Sequence, residues 1–134
     1  MITEIHHVSL VVADTGRALE FYRDLLGLVE DAGRPDLGYP GAWLQVGGHQ
    51  IHLLELPNPD PVEGRPLHGG RDRHVALLVS DIDWLAQRLE GNRVAYTPSR
   101  AGRRALFCRD PDGNALEFVE ALGAQPCLAA APSG

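Results

Sequence analysis

The sequence predicts an α+β protein made of two βαβββ modules in tandem, and three observations support this prediction. Residues 6–14 match residues 73–81 at an offset of 67, with alternate apolar positions conserved as on one face of a strand. Residues 48–55 match residues 113–120 at an offset of 65. A helical pattern follows the first strand in both halves. The same order of elements therefore occurs twice.

Each predicted helix begins at an aspartate and ends at a glycine. Asp14 and Asp81 directly follow the two matched strands and are good N-cap residues. Apolar residues then recur at three-to-four spacing until Gly27 and Gly91. Short strands complete each module, and they are predicted at 28–32, 42–47 and 49–56 in the first half and at 93–97, 104–109 and 114–121 in the second.

The chain length predicts one domain, because 134 residues can bury one substantial core but not two independent ones. The domain is expected to cover residues 1–122, with module one at about 3–56, a Pro/Gly-rich linker at 57–72 and module two at about 73–121. Residues 123–134 show no periodicity and are predicted to form a mobile tail.

Composition narrows the class of function. A formal net charge of −6 provides no basic surface for nucleic acid, and the apolar runs are too short to span a bilayer. Met1 leads directly into a strand-like segment, which predicts no signal peptide. Cys108 and Cys127 match no disulfide framework or metal spacing and are interpreted as free thiols. A cytoplasmic protein is expected.

The repeat also aligns four residues that are able to bind a metal. His7 corresponds to His74 on the first strand of each half, and His52 corresponds to Glu117 on the last strand. A single strand histidine is usually an ordinary polar residue, but four donors at equivalent positions of a duplicated unit favour a metal site. Imidazole and carboxylate groups suit Zn, Ni, Mn or Fe as a divalent ion.

The other histidines give weaker signals. His6 neighbours His7 and is expected on the opposite strand face, whereas His49 lies at a Gly-Gly turn. His68 lies in the linker, from which it could reach the mouth of a site. All three are most simply interpreted as facing solvent.

Four further motifs are spread along the chain: Ile5-His6-His7-Val8, Phe21-Tyr22-Arg23-Asp24-Leu25-Leu26-Gly27-Leu28, Arg73-His74-Val75-Ala76 and Asp110-Pro111-Asp112-Gly113-Asn114-Ala115-Leu116-Glu117. They resemble motifs of the vicinal oxygen chelate superfamily, which includes glyoxalase I, methylmalonyl-CoA epimerase, fosfomycin-resistance thiol transferases, extradiol dioxygenases and bleomycin-binding proteins. The similarity covers about residues 3–121.

The resemblance implies a cup-shaped mixed sheet, the glyoxalase/bleomycin-resistance/dioxygenase fold, around one divalent metal ion. It implies ligands at His7, His74 and Glu117, with His52 at a fourth position where glyoxalase I usually has glutamate and the epimerase glutamine. Glu117 would also be the catalytic base that moves a proton. Four protein ligands favour a glyoxalase-like lyase or isomerase acting on a small metal-chelating substrate through an oxyanion or enediolate. An extradiol-type iron dioxygenase and a non-catalytic antibiotic-binding protein are the alternatives.

Four further residues are candidates for substrate binding. Ser9 lies two positions after His7 on the same strand face. Phe107 is expected to face inward. Arg103, an even number of residues away, is expected on the same strand face, where it could meet a substrate carboxylate. Trp43, with Tyr39, is a candidate for the wall of an apolar pocket or for core packing. The resemblance also implies a homodimer, with each metal site completed within one chain or across two copies.

Overall fold

The fold is seen in a computed structural model that describes residues 1–99 and 102–121. The predicted tail 123–134, with Cys127, lies outside these residues, as does Arg100. In chain order the elements are β1 (His7–Val12), α1 (Thr15–Leu19) continued by a π-helical segment (Glu20–Leu25), β2 (Val29–Glu30), β3 (Gly41–Val46), β4 (His49–Glu55), a 3-10 turn (Gly69–Arg71), β5 (His74–Val79), α2 (Ile82–Gly91), β6 (Tyr96–Pro98), β7 (Ala105–Arg109) and β8 (Ala115–Glu120).

Two four-stranded sheets confirm the predicted fold class. Their strand orders are β1-β4-β3-β2 and β5-β8-β7-β6. In each sheet the first strand of the module pairs in parallel with the last, and the other pairs are antiparallel. The sheets belong to two compact units, which comprise, of the described residues, 1–65 with 110–114 and 66–99, 102–109 and 115–121. In the described parts of the chain, no helix is long and apolar enough to cross a membrane.

Alternation along the strands separates a core face, which packs on a helix, from the opposite face, which is called the open face in each sheet. In the second sheet the open-face residues Phe107 and Glu117 are nevertheless buried. In the first unit the fully buried Leu44, Ile51 and Leu53 share the face that packs on α1. In the second unit Leu116 and its neighbours pack against α2 through residues such as Leu85 and Leu89. The residues between these apolar positions point to the opposite face, where the predicted site residues lie.

The predicted N-caps are confirmed. The Asp14 carboxylate accepts a hydrogen bond from the Arg17 amide, and the Asp81 carboxylate accepts from the amides of Asp83 and Trp84. A second carboxylate supports each helix start, because Glu55 accepts from the Thr15 amide and Glu120 from the Ile82 amide. Glu55 and Glu120 therefore recur in the repeat as capping groups.

Both helices end at or next to the predicted glycines, but the backbone at each end differs from the sequence prediction. The first helix widens into a π-helical segment in which the Leu26 amide bonds to the Phe21 carbonyl, before Gly27 adopts a φ of +84°. The second helix ends at Gly91 as predicted, but the left-handed residue is Arg93, with φ +59°. This turn occupies the predicted start of the next strand, so β6 begins at Tyr96.

A buried aspartate organises the first unit. The Asp110 carboxylate accepts hydrogen bonds from the Tyr22 hydroxyl at 2.6 Å, from the Asn114 side chain and from two backbone amides of its own loop. Asn114 in turn donates to the Val11 carbonyl in β1. Gly113, at φ +85°, permits the tight loop. The Phe-Tyr and Asp-Pro-Asp-Gly-Asn motifs are therefore parts of one hydrogen-bond network.

We predict that Tyr22→Phe lowers the free energy of unfolding by about 1–3 kcal/mol, because a buried carboxylate loses a charge-assisted hydrogen bond. Burial raises the pKa of Asp110 above its ordinary value of 3.8, against the opposing effect of its hydrogen bonds. The variant raises that pKa further, so the loss should be largest at neutral pH and shrink as the pH falls through the raised pKa. Urea unfolding at several pH values measures it, and a loss that grows on acidification would contradict the prediction.

Candidate functional site

The open face of the first sheet brings together four of the predicted site residues. Ser9 in β1 lies directly beside His52 in β4, and His52 lies directly beside Trp43 in β3. His7 is two residues before Ser9 and so shares this face. The parallel register of β1 and β4 thus places both predicted ligands of this unit together.

His52 is held between two other rings. Its imidazole stacks on Trp43, with centroids 4.4 Å apart and planes 8° apart, and on His7, with centroids 3.9 Å apart and planes 17° apart. Trp43 thus contacts a candidate ligand directly, while its indole Nε1 is buried without a hydrogen-bond partner in the described structure. Its position suits an orienting role for His52 in addition to packing.

A chain of polar side chains fixes one nitrogen of His52. His52 Nε2 lies 2.8 Å from Gln50 Oε1, and Gln50 Nε2 donates to Asp31 Oδ2 at 2.8 Å. Because the amide oxygen only accepts, Nε2 carries the proton and Nδ1 keeps its lone pair. Burial, with the positive charges of His7, His6 and Arg34, lowers the pKa of His52, while Asp31 opposes that shift.

The open face of the second sheet contains the other two predicted ligands. Glu117 in β8 is buried and lies beside Ala76 in β5 and Phe107 in β7. His74 Nε2 is 3.3 Å from Glu117 Oε1. His74 Nδ1 lies 2.9 Å from the Asp72 carbonyl and donates a hydrogen bond to it, which turns Nε2 toward Glu117.

Arg103 pairs with the same glutamate. Its Nη2 lies 2.6 Å from Glu117 Oε2, so the guanidinium expected to meet a substrate carboxylate contacts a protein carboxylate. Arg103 lies four residues before Phe107, and side chains an even number of residues apart point to the same side of an extended chain. Both therefore reach the sheet face that carries Glu117. The adjacent Arg104 points elsewhere and binds Glu120 and Asp83.

His68 contacts other side chains, whereas the sequence predicts a solvent-facing residue of the linker. Its Nδ1 lies 2.8 Å from Thr97 Oγ1, and its ring contacts Phe107 edge-on at 4.7 Å. Phe107 also contacts His74 edge-on, at 5.2 Å. Gly70 leaves room for this packing, because a Cβ there would lie 3.0 Å from His68 Nε2.

His6 and His49 are exposed, as predicted for solvent-facing residues. His6 is nevertheless not independent of the site, because its Nδ1 lies 2.9 Å from His7 Nδ1. His49 Nε2 pairs with Glu4 at 2.8 Å. Tyr39 lies beneath the guanidinium of Arg34, outside the stack formed by Trp43, His52 and His7.

The four predicted ligands occur as two pairs, His7 with His52 and His74 with Glu117. Among residues 1–99 and 102–121, no group of three or more His, Cys, Asp or Glu side chains is close enough to hold a metal ion. The chemistry of each pair nevertheless fits a metal. His52 and His74 each have one ring nitrogen bound to an acceptor and the other available, which is how ligating histidines are commonly oriented. The Gln50 side chain and the Asp72 carbonyl provide these acceptors, and Asp31 accepts a hydrogen bond from Gln50; none of the three was predicted from the sequence.

Comparison with known proteins gives the family. Residues 4–118 match the model of the Glyoxalase/Bleomycin resistance protein/Dioxygenase superfamily. The chain belongs to this superfamily.

Relatives in this superfamily are similar along most of the chain. A lactoylglutathione lyase from Haemophilus influenzae is 33% identical, over 87% of this chain and 92% of the relative. A metallothiol transferase, FosB, from Staphylococcus epidermidis is 29% identical, over 88% of this chain and 84% of the relative. A crystal structure from Bacillus anthracis, assigned to the glyoxalase family, has a TM-score of 0.75 at 26% identity and covers 90% of this chain and 96% of that one.

We predict that His52 of the metal-free protein titrates below its ordinary pKa of 6.5, which NMR of the imidazole protons measures directly. Its neutral form then adds stability that is fully present above about pH 6.5 and is lost as the pH falls through the lowered pKa. His7→Asn removes one positive neighbour and should raise this pKa. His49→Asn is the matched control and should leave it unchanged; a His52 pKa above 6.5 would contradict the prediction.

Proposed function

We propose that the protein is a divalent-metal-dependent enzyme of glyoxalase-like lyase or isomerase type, acting on a small substrate with two adjacent oxygens. The observation that carries the proposal is the His74–Glu117 pair. A buried carboxylate oxygen faces an imidazole nitrogen whose partner nitrogen is bound to the Asp72 carbonyl. Two acceptors that face each other at 3.3 Å need a proton or a cation between them.

The proposed ligands are His74 and Glu117 from the second unit with His7 and His52 from the first. Three imidazoles and one carboxylate suit Zn, Ni, Mn or Fe. When bound, such an ion stabilises negative charge that develops on a substrate oxygen. The similarity to a relative named as a metallothiol transferase supports a metal, and the similarity to lactoylglutathione lyases supports lyase chemistry.

Glu117 is the proposed catalytic base. It is the one carboxylate among the four proposed ligands, and only 4% of its side chain is exposed to solvent. A buried carboxylate beside a substrate carbon can accept a proton without competition from bulk water. Ser9 is the proposed hydrogen-bond donor to substrate, a role supported by its position beside His52 on the open sheet face.

Assembly is part of the proposal. We expect a homodimer in which each metal takes one pair of ligands from a first unit and one from a second unit, within one chain or from two copies. Sedimentation measurements with and without metal test it: a dimer whose stability increases with metal supports ligands from two copies, and a metal-independent dimer supports ligands from one chain.

We predict that the purified protein binds about one equivalent of divalent metal. His74→Ala and Glu117→Gln should each weaken that binding by 10-fold or more, because a ligand is lost. Isothermal titration with Zn²⁺, Ni²⁺ and Mn²⁺ measures affinity and stoichiometry. His52→Ala should weaken binding as well, and unchanged affinity in that variant would remove His52 from the ligand set.

His49→Ala is the matched control, because this exposed histidine lies on the same strand as His52 and pairs with Glu4. It should bind metal as the wild type does. Metal content below about 0.2 equivalents after metal-replete expression would overturn the enzyme proposal in favour of a binding protein. Iron-dependent oxygen uptake with catechols would replace the lyase assignment with a dioxygenase.

A further inference from the structure

The two oxygens of Glu117 have different neighbours. Oε1 faces His74 Nε2 at 3.3 Å, whereas Oε2 accepts a hydrogen bond from Arg103 Nη2 at 2.6 Å. The carboxylate is almost fully buried, so its position is defined by the strand that carries it. Glu117 therefore holds a guanidinium immediately beside the nitrogen and oxygen proposed to bind the metal.

Arg103 retains hydrogen-bonding capacity after this contact. A guanidinium has five N–H donors, and the bond from Nη2 to Glu117 uses one of them. Its side chain is 54% exposed, so the remaining edge is accessible to a ligand. The other arginines on these strands differ, because Arg104 binds two carboxylates and Arg109 binds both Asp72 and the Pro66 carbonyl.

The summed charge of the site residues and a bound metal ion indicates the charge that a ligand of Arg103 would carry. The positive charge of Arg103 cancels the negative charge of Glu117, and the imidazole of His74 is neutral when its Nε2 is available as a ligand. A divalent ion bound to these residues would leave an excess of positive charge. An anionic ligand is then favoured over a neutral one of the same shape.

We propose that Arg103 binds a carboxylate group of the substrate, so that the substrate is a carboxylate-bearing oxygen chelator. The planar guanidinium matches a carboxylate through two parallel N–H donors, and its bond to Glu117 fixes its orientation. This inference rests on the proposed metal-dependent function and names its substrate class. Arg103 is then a specificity-determining residue.

Three hydroxamates with the same chelating head test the proposal on the metal-loaded protein. Acetohydroxamate has no further charge, succinomonohydroxamate carries a carboxylate and phosphonoacetohydroxamate carries a phosphonate. Titration calorimetry should show the carboxylate probe binding wild type about 10- to 100-fold more tightly than acetohydroxamate, as expected for a charge-assisted pair. Arg103→Ala should abolish this difference.

Arg104→Ala is the matched control, because it removes an adjacent arginine that is bound to Glu120 and Asp83. It should preserve the preference for the carboxylate probe. Arg103→Gln is the second variant, since it keeps a donor for Glu117 and removes the charge, and it should also lose the preference. Thermal unfolding provides an independent measurement: metal should stabilise Arg103→Ala more than wild type, because Glu117 there lacks its cation until metal binds.

An undiminished preference for the carboxylate probe in both Arg103 variants would overturn the inference. A greater affinity for the phosphonate probe than for the carboxylate probe in wild type would overturn the carboxylate assignment. Failure of the proposed function is distinguishable, because wild-type protein would then take up no metal and bind none of the three hydroxamates.

Discussion

Strand register is the constraint on which the candidate site depends. Side chains alternate between the two faces of a strand, and in each sheet one face packs on a helix. The parallel pairing of β1 with β4 sets Ser9 beside His52, and that of β5 with β8 sets Ala76 beside Glu117. A slip of one residue would move His52 or Glu117 into an apolar core and bring Ile51 or Leu116 to the open face. The burial of those leucine and isoleucine side chains therefore enforces the orientation of the proposed ligands.

Polar residues away from the open face stabilise the ends of the same strands. Glu55 and Glu120, at the ends of β4 and β8, accept hydrogen bonds from the first residues of the two helices. Asp110 joins a helical tyrosine, a loop and, through Asn114, the backbone of β1. These three carboxylates have structural roles, whereas Glu117 has a buried oxygen that faces a histidine. Residue type alone does not distinguish a structural carboxylate from a candidate ligand, but the neighbours of the carboxylate do.

Much of the fold was predictable because duplication presents each pattern twice. The offsets of 67 and 65 located both first strands and both last strands, and the aspartate caps located both helix starts. The π-helical widening and the left-handed Arg93 were not predictable, since both depend on backbone hydrogen bonds that close only after packing. In the site, the alternation of side chains along a strand correctly predicted the faces on which His7, His52 and Phe107 lie. The contacts of Gln50 with His52 and of Arg103 with Glu117 depend on side-chain length and rotamer, which periodicity does not encode.

The loop 110–114 has a consequence for synthesis of the protein. It belongs to the first compact unit although the chain reaches it only after most of the second unit. While the nascent chain emerges from the ribosome, Tyr22 has no Asp110 to bind until synthesis has passed residue 110. The N-terminal unit is thus completed late, and a fragment that stops at residue 65 leaves a buried hydroxyl without its acceptor. Such an interleaved chain order couples the maturation of both halves and disfavours their separation by truncation or by gene splitting.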